Sequence, residues 1–210
     1  MLTSAKDMAI ELHQGDLPAG LDVGSSMAID TETTGLDPHR DRLCLAQIGL
    51  ADGSVHLVKF AQGVYQAPNL KKILVDPAVT KIFHFARFDV MMLKKHLGVV
   101  AAPIYCTKIA SKLVRTYTSG HGLKDLCKEL LDIDLSKEQQ SSDWGAPNLS
   151  DAQKRYAASD VLHLHALKTK LDAMLVREGR MDIAQACFGF MGTRVDLDLR
   201  GWAEQDIFAH

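Results

Sequence analysis

Two carboxylic acids, Asp30 and Glu32, lie two residues apart at the end of an otherwise apolar stretch. If this stretch is a strand, both side chains point to the same face of a sheet, because alternate residues of a strand do so. Two like charges this close repel each other and lose hydration, and a divalent cation removes both penalties. Carboxylate oxygens are hard ligands that suit Mg²⁺ or Mn²⁺. The pair therefore indicates a metal site, with two ordinary surface acids at a strand end as the alternative.

Three more residues have types and positions that suit the same kind of site. Asp89 lies where an apolar strand pattern gives way to a helical one, and Tyr156 and Asp160 are four residues apart on one face of a predicted helix. Each has an ordinary explanation: an acid that complements a helix dipole, a core aromatic residue and a solvated charge. The ordered set of acid-x-acid, then acid, then Tyr-x-x-x-acid is much harder to explain by chance.

The elements that must position these residues predict an α/β domain with a mixed central sheet flanked by helices. Three strands in an antiparallel meander come first, at residues 26–32, 43–50 and 54–60. Strand and helix alternate after that, and Asp89 falls in a helix over residues 87–97. Ser150 and Gln153 form a capping box in front of apolar residues at helical spacing, which predicts one long helix as far as residue 175.

The composition is that of an ordinary soluble globular protein, with 47% hydrophobic and 24% charged residues among 210. Lys and Arg total 24 against 26 Asp and Glu, and this net charge of −2 excludes a basic coat for long nucleic acid. The sequence has no apolar run near the roughly 18 residues of a membrane span, no signal-peptide pattern and no paired cysteines. We therefore expect a cytoplasmic protein with no membrane partner.

The chain is expected to form one domain over residues 1–210. Its last part, from about residue 181, is rich in aromatic residues and is expected to pack on the domain or on a neighbouring subunit.

Three segments resemble the exonuclease motifs of the DEDD superfamily. They are residues 28–36 (AIDTETTGL), 84–89 (HFARFD) and 156–160 (YAASD), the last in its tyrosine variant. Residues 121–124 and 137–144 are similar to ribonuclease D. The pattern from residues 13–18 (HQGDLP) to the C-terminal residues 201–210 most resembles the short ribonuclease D-like nanoRNase C family of bacteria. The resemblance covers nearly the whole chain and implies a ribonuclease H-like fold.

This resemblance also implies a reaction, the 3′-to-5′ hydrolysis of RNA to nucleoside 5′-monophosphates with two divalent cations, Mg²⁺ or Mn²⁺. One ion activates water and the other stabilises the leaving 3′ oxygen. The implied metal ligands are Asp30, Glu32, Asp89 and Asp160, with Asp30 bridging the two ions. Tyr156 completes the catalytic set by orienting the attacking water, because a free phenol with a pKa near 10 is a poor base at neutral pH.

The segment after the first acidic pair supplies predicted substrate contacts. Leu36 corresponds to a leucine that wedges between the last two bases, with a loop residue covering the core as the alternative. Backbone N–H groups between Thr33 and Gly35 are expected to grip the terminal ribose or phosphate.

Further substrate-binding residues are predicted at His84, Arg87, Lys108, Arg115, Tyr117, His121, Gln140 and Trp144. Lys108 and Arg115 fall on one face of a predicted helix and could hold a 5′ phosphate, or could belong to a solvated face. His84 could instead support Asp89 without touching substrate, and Trp144 could be a core anchor.

The resemblance implies a preference for RNA dinucleotides and a ring-shaped homo-octamer. Only about 30 residues follow the predicted long helix, too few for the helical C-terminal (HRDC) domains of ribonuclease D, so none is expected. The alternative within enzymes is the same chemistry on longer RNA or on DNA, as in ribonuclease D-like processing or degradation. A non-catalytic nucleic-acid-binding module is the alternative from another class, and the presence of all four acids argues against it.

Overall fold

The computed structural model describes residues 9–136, 138–139 and 141–210. In these ranges six strands are present: β1 Ile10–Gln14, β2 Ser26–Thr33, β3 Leu43–Gly49, β4 Val55–Lys59, β5 Thr80–Phe83 and β6 Ile104–Cys106. They form one sheet in the order β1-β4-β3-β2-β5-β6. The pairs β2–β3 and β3–β4 are antiparallel, and the other three pairs are parallel.

Seven α-helices flank this sheet in the described part of the chain. They are α1 Pro68–Val75, α2 Ala86–Leu97, α3 Thr107–Val114, α4 Leu123–Leu126, α5 Asp151–Leu162, α6 Leu164–Arg177 and α7 Met181–Leu197. Short π-helical segments, Cys127–Leu131 and Asp198–Trp202, continue α4 and α7. The predicted α/β class with a mixed central sheet is confirmed. Among the residues given above, no helix is both long enough and apolar enough to cross a bilayer.

The centre of the sheet is β3, in which every residue is buried. A strand that is covered on both faces typically has a continuous run of apolar residues. The sequence of β3, LCLAQIG, is such a run except for Gln47. Gly49 lets α5 approach closely, because a Cβ at that position would lie 3.0 Å from a methyl group of Val161. Helix α5 is thereby seated directly on the strand that neighbours Asp30.

Strand β1 was not predicted from the sequence. It pairs in parallel with β4 at the edge of the sheet, with Ile10 opposite Val55 and Gln14 opposite Lys59. Its five residues, IELHQ, include Glu, His and Gln, which have weak strand preference, so the local pattern carries little signal.

The predicted long helix is divided into α5 and α6 at His163. Its start is as expected, because Ser150 Oγ accepts the Gln153 N–H at 3.2 Å and Gln153 Oε1 accepts the Ser150 N–H at 2.9 Å. The break lets Val161 pack against Gly49 of β3 while the leucines of α6 stay buried against other elements.

The C-terminal part begins with α7, whose residues Phe188, Met191 and Val195 are buried. The Phe188 ring centroid lies 4.8 Å from that of Tyr105 on β6. After α7, several apolar side chains are exposed to solvent, and Phe208 is 78% exposed.

Candidate active site

Strand β2 holds the first two acids of the site. Asp30 and Glu32 occupy alternate positions opposite Gln47 and Leu45 of β3, so both point to one face of the sheet. Asp160 reaches the same place from α5, the helix that Gly49 admits close to the sheet. One carboxylate oxygen from each of the three acids lies within 4.8 Å of the others. Two elements distant in sequence, β2 and α5, thus bring three acids into one small volume.

Asp89 joins this cluster at the open edge of β2. Strand β5 pairs with β2 only as far as Phe83 opposite Ile29, so β2 has no strand neighbour on that side beyond this point. Helix α2 starts just after, and Asp89 lies in its first turn. Thr31 Oγ1 donates a hydrogen bond to Asp89 Oδ1 at 2.6 Å. This bond anchors Asp89 to the residue between Asp30 and Glu32, and the charge of Asp30 raises the pKa of Asp89.

The turn into α2 has an unusual backbone. Phe85 has φ 70° and ψ 47°, the left-handed region that a bulky side chain rarely adopts. Strain of this kind concentrates at functional sites, where the surrounding structure imposes it. Its ring is half exposed, and Lys108 Nζ lies 4.2 Å from the ring centroid.

Burial shifts the pKa of all four carboxyls upward. Burial raises the pKa of Asp30 to about 7, and burial together with the nearby Asp30 raises that of Asp160 to about 8. Burial and the charges of Asp30, Asp160 and Asp89 raise the pKa of Glu32 to about 10. The pKa of Asp89 lies well above its usual range through burial and Asp30, and the Thr31 hydrogen bond opposes this rise.

These shifts show that the four carboxylates are unstable together as anions without a compensating charge. A cluster of buried, hard oxygen donors is the ligand set that Mg²⁺ and Mn²⁺ prefer. The residues present therefore fit a divalent metal site.

Tyr156 lies one helical turn before Asp160, and its ring centroid is 6.1 Å from that of Trp144. Burial and the negative charges of Asp160, Glu32 and Asp30 raise the pKa of its hydroxyl above the usual value. The phenol is therefore protonated at neutral pH. This state suits a group that holds and orients water by hydrogen bonding.

Sequence reasoning missed Gln47, which is fully buried on β3 directly opposite Asp30. Its Nε2 lies 3.4 Å from Asp30 Oδ2, and its Oε1 has no hydrogen-bond partner among the described residues. The available signal was a single polar residue in an otherwise apolar strand. Its importance depends on the register of β2 and β3, which the sequence does not fix.

The loop after β2 is held by Asp41, which sequence reasoning also missed. The Asp41 carboxylate accepts the Asp37 N–H at 2.9 Å and a guanidinium hydrogen of Arg40 at 2.8 Å. Gly35 packs on this carboxylate so closely that a Cβ there would lie 2.8 Å from Asp41 Cγ. The loop carries Leu36 outward, 80% exposed.

The high exposure of Leu36 contradicts the alternative in which this loop residue covers the core. Thr33, on the other side of Gly35, donates from Oγ1 to the Gly35 carbonyl at 2.6 Å. The predicted segment from Thr33 to Leu36 therefore lies next to the acidic cluster with its apolar tip in solvent.

Comparison with known proteins identifies the family. Residues 7–176 match the family described as 3'-5' exonuclease. The chain belongs to the 3'-5' exonuclease family. All four acids and Tyr156 lie within the matched residues. The ribonuclease H-like fold expected from the motifs is confirmed.

Members of the 3'-5' exonuclease family similar to this chain include ribonuclease D and NrnC. Ribonuclease D of Acidiphilium cryptum is 35% identical over 156 residues, which are 74% of this chain and 39% of that protein. The chain thus spans about two fifths of the length of that relative. The structure of Brucella melitensis NrnC with bound Mg²⁺ has 54% identity and a TM-score of 0.92, covering 96% of this chain and 99% of that one. The structure of the same Brucella protein bound to pGG has 55% identity and a TM-score of 0.93, covering 97% and 99%.

His84 is the first residue of the second motif, and its ring faces α3. Its Nδ1 is 2.9 Å from Thr107 Oγ1, and its Nε2 is buried with no partner in the described chain. Burial, with a contribution from Lys108, lowers the pKa of His84 to about 4, so the imidazole is neutral. The contact with Thr107 fits a residue that supports the turn before Asp89.

Arg115 differs from the prediction that it presents its charge to substrate. Its side chain is 1% exposed and forms an ion pair with Glu129. The Tyr117 hydroxyl also donates to Glu129, although its ring is exposed. His121 Nδ1 lies 2.8 Å from Ser111 Oγ. The positive charge of Arg115 is therefore used inside the fold, because a buried guanidinium requires a partner.

Two other predicted substrate contacts also have partners within the fold. Arg87 donates to the buried Asp198 carboxylate at 2.6 and 2.8 Å, which ties α2 to the segment after α7. Trp144 is 3% exposed, as the core-anchor alternative requires, and its carbonyl accepts from Lys59 Nζ at 2.6 Å. Gln140 lies outside the described residues.

Proposed function

We propose that this protein is a 3′-to-5′ exoribonuclease that uses divalent cations, Mg²⁺ or Mn²⁺, to hydrolyse very short RNA. Its preferred substrates are dinucleotides, and its products are nucleoside 5′-monophosphates. The observation that carries this proposal is the meeting of Asp30, Glu32 and Asp160 within 4.8 Å, with Asp89 hydrogen-bonded to Thr31 of the same strand.

The four acids would hold two ions, with Asp30 as the shared ligand. Asp30 has a carboxylate oxygen within 4.8 Å of those of Glu32 and Asp160, and its charge also raises the pKa of Asp89. Bound divalent ions supply positive charge that neutralises the phosphodiester, acidifies the attacking water and stabilises the leaving 3′ oxygen.

The chain's own residues place the RNA and the water. Tyr156, protonated and next to Asp160, holds the attacking water by hydrogen bonding and thereby sets its direction of approach. Leu36 offers an exposed apolar side chain to the faces of the terminal bases. Lys108, half buried beside Phe85 at the turn before Asp89, supplies a positive charge for phosphate.

The preference for dinucleotides has support in the pGG-bound structure of the similar Brucella melitensis NrnC. A closed homo-oligomer, an octamer by resemblance, would restrict the length of RNA that reaches the site. Exposed apolar side chains near the C-terminus, including Trp202, Ile207 and Phe208, are available for such contacts. Longer RNA or DNA is the alternative substrate.

Initial rates on RNAs of two, three, seven and twenty nucleotides and on matched DNAs test the proposal. The protein should first be sized by light scattering, and the assay should contain Mg²⁺ or Mn²⁺. We expect the RNA dinucleotide to be hydrolysed fastest. An equal or faster rate on the twenty-mer contradicts the length preference while leaving the exonuclease assignment intact. Binding of RNA without any hydrolysis contradicts the assignment itself.

A further inference from the structure

A second cluster of metal-ligating side chains lies at the other end of the sheet. Glu11 and His13 occupy alternate positions of β1, and His56 is the residue of β4 opposite Glu11. Paired residues and alternate residues point to the same face of a sheet, so the three side chains meet. They lie on the edge strand and its neighbour, with β3 between them and the acids of β2.

The distances among the three ligand atoms match a tetrahedral site. His13 Nε2 and His56 Nδ1 are 3.0 Å apart, and each is 3.8 Å from Glu11 Oε2. Metal–nitrogen bonds of about 2.0–2.1 Å and metal–oxygen bonds of about 2.0–2.2 Å place neighbouring ligands of a tetrahedron roughly 3.3–3.5 Å apart. One observed separation is shorter than this range and two are longer, so small side-chain movements would bring all three ligand atoms to one ion.

The ligand types select the class of ion. Two imidazoles and one carboxylate suit Zn²⁺ and similar transition metals, whereas Mg²⁺ prefers oxygen ligands alone. This set therefore differs in chemistry from the all-carboxylate cluster of Asp30. Three protein ligands leave a fourth position, and the Glu11 side chain, 59% exposed, places that position next to solvent.

The two imidazole rings face each other on neighbouring strands. The side chain of His56 is 6% exposed and that of His13 is 18% exposed. The planes of the two rings are 21° from parallel, and His13 Nε2 faces His56 Nδ1. Metal binding requires both rings to carry their protons on the outer nitrogens and to turn toward the ion.

We propose that Glu11, His13 and His56 form a binding site for a Zn²⁺-class ion that fastens the edge strand β1 to β4. An ion that binds only the folded chain stabilises it in proportion to the logarithm of its concentration over its dissociation constant. β1 has five residues and pairs with β4 alone among the described strands, so it is the strand that gains most from such a link.

The test uses the full chain carrying Asp30→Asn and Glu32→Gln, so that the acidic cluster loses two of its four carboxylates and competes less for metal. After treatment with chelator, Zn²⁺ is titrated by calorimetry and followed by thermal unfolding. We expect one Zn²⁺ per chain and a higher melting temperature, with no such rise from Mg²⁺. His13→Gln should weaken Zn²⁺ binding at least about tenfold and abolish the rise.

Two further variants complete the design. Glu11→Gln changes an exposed ligand and should weaken binding without disturbing the fold, whereas His39→Gln changes an exposed histidine outside the cluster and should bind like its parent. The proposal is overturned if His13→Gln and Glu11→Gln both bind Zn²⁺ with parental affinity. It is equally overturned if the parent in this background binds no Zn²⁺.

Discussion

At the scale of single residues, the site depends on how each carboxylate is kept in place while carrying an unfavourable charge. The charge of Asp30 raises the pKa of every other acid of the cluster, and three of the four acids have a supporting neighbour. Thr31 donates to Asp89, Gln47 lies against Asp30, and Tyr156 lies beside Asp160. The residues that would bind metal are therefore distinct from the residues that hold those ligands in position.

Replacing Tyr156 with Phe removes the hydroxyl and keeps the ring. We expect kcat on an RNA dinucleotide to fall by about 10²-fold, because a positioned water is lost while the metal ligands remain. Asp160→Asn should lower kcat by a larger factor than Tyr156→Phe does. Tyr65→Phe is the matched control, since its hydroxyl donates to the Leu43 carbonyl away from the cluster. A Tyr156→Phe enzyme with unchanged kcat would exclude the water-orienting role.

Replacing Thr31 with Val removes the donor to Asp89 at nearly constant volume. The lost hydrogen bond should raise the pKa of Asp89 further and raise the Mg²⁺ concentration for half-maximal activity about tenfold. Saturating metal should restore most of kcat, and Thr31→Ser should behave like the parent. Metal titrations of the three proteins measure this, and identical midpoints would show that Thr31 does not position Asp89.

Residue types in local motifs account for what could be predicted at this scale. The structure brings Asp30, Glu32 and Asp160 within 4.8 Å of one another, with Asp89 and Tyr156 on the adjoining helices. Each motif fixed the strand or helix on which its residues lie. Gln47 and Glu129 could not be recognised in the same way. Gln47 meets Asp30 only through the register of β2 and β3. Glu129 acts through an ion pair with Arg115, fourteen positions away.

At the scale of elements, the loop between β2 and β3 determines where Leu36 points. The loop folds around the Asp41 carboxylate, and Gly35 is the position at which the backbone presses against it. A change here alters the placement of Leu36 without touching a metal ligand.

Gly35→Ala introduces a methyl group that overlaps the Asp41 carboxylate. We expect kcat/KM on a dinucleotide to fall about tenfold, mostly through KM, because the loop must move. Gly189→Ala in α7 is the control, since a Cβ there meets nothing within 4 Å. It should keep full activity and gain up to about 1 kcal/mol in the free energy of unfolding. Steady-state kinetics and urea unfolding of both variants test this prediction. Equal kcat/KM values for Gly35→Ala and the parent would show that the loop does not contribute to substrate binding.

Long, strongly patterned elements were predictable from the sequence, and short ones were not. The meander and the capping box of α5 follow from apolar periodicity and from Ser150 with Gln153. Strand β1 and the break at His163 depend on what the rest of the fold places beside them. For that reason the cluster of Glu11, His13 and His56 was invisible until β1 was paired with β4.

At the scale of the whole molecule, the active site lowers the stability of the metal-free protein. The folded pKa values of Asp30 and Asp160, about 7 and about 8, exceed the usual value near 4 of the unfolded chain. Between about pH 4 and pH 8 the folded state therefore retains protons that the unfolded state releases. The contribution of these groups to stability is greatest at low pH and is lost as the pH rises through this window.

In the presence of chelator, we expect the melting temperature of the parent to decline more steeply between pH 5 and pH 8 than that of Asp30→Asn. Saturating Mg²⁺ should reduce the decline in the parent, because bound cations favour the ionised carboxylates. Thermal unfolding at several pH values with and without metal measures both slopes. A parent and variant with the same slope in chelator would contradict the raised pKa values.

The most direct test of the whole account is hydrolysis of an RNA dinucleotide by the parent and by Asp30→Asn, each in chelator and in saturating Mg²⁺ or Mn²⁺. Circular dichroism should first establish that the variant is folded. The account predicts turnover only for the parent with metal, and background rates in the other conditions. Parental turnover by Asp30→Asn with metal, or by the parent in chelator, would contradict it.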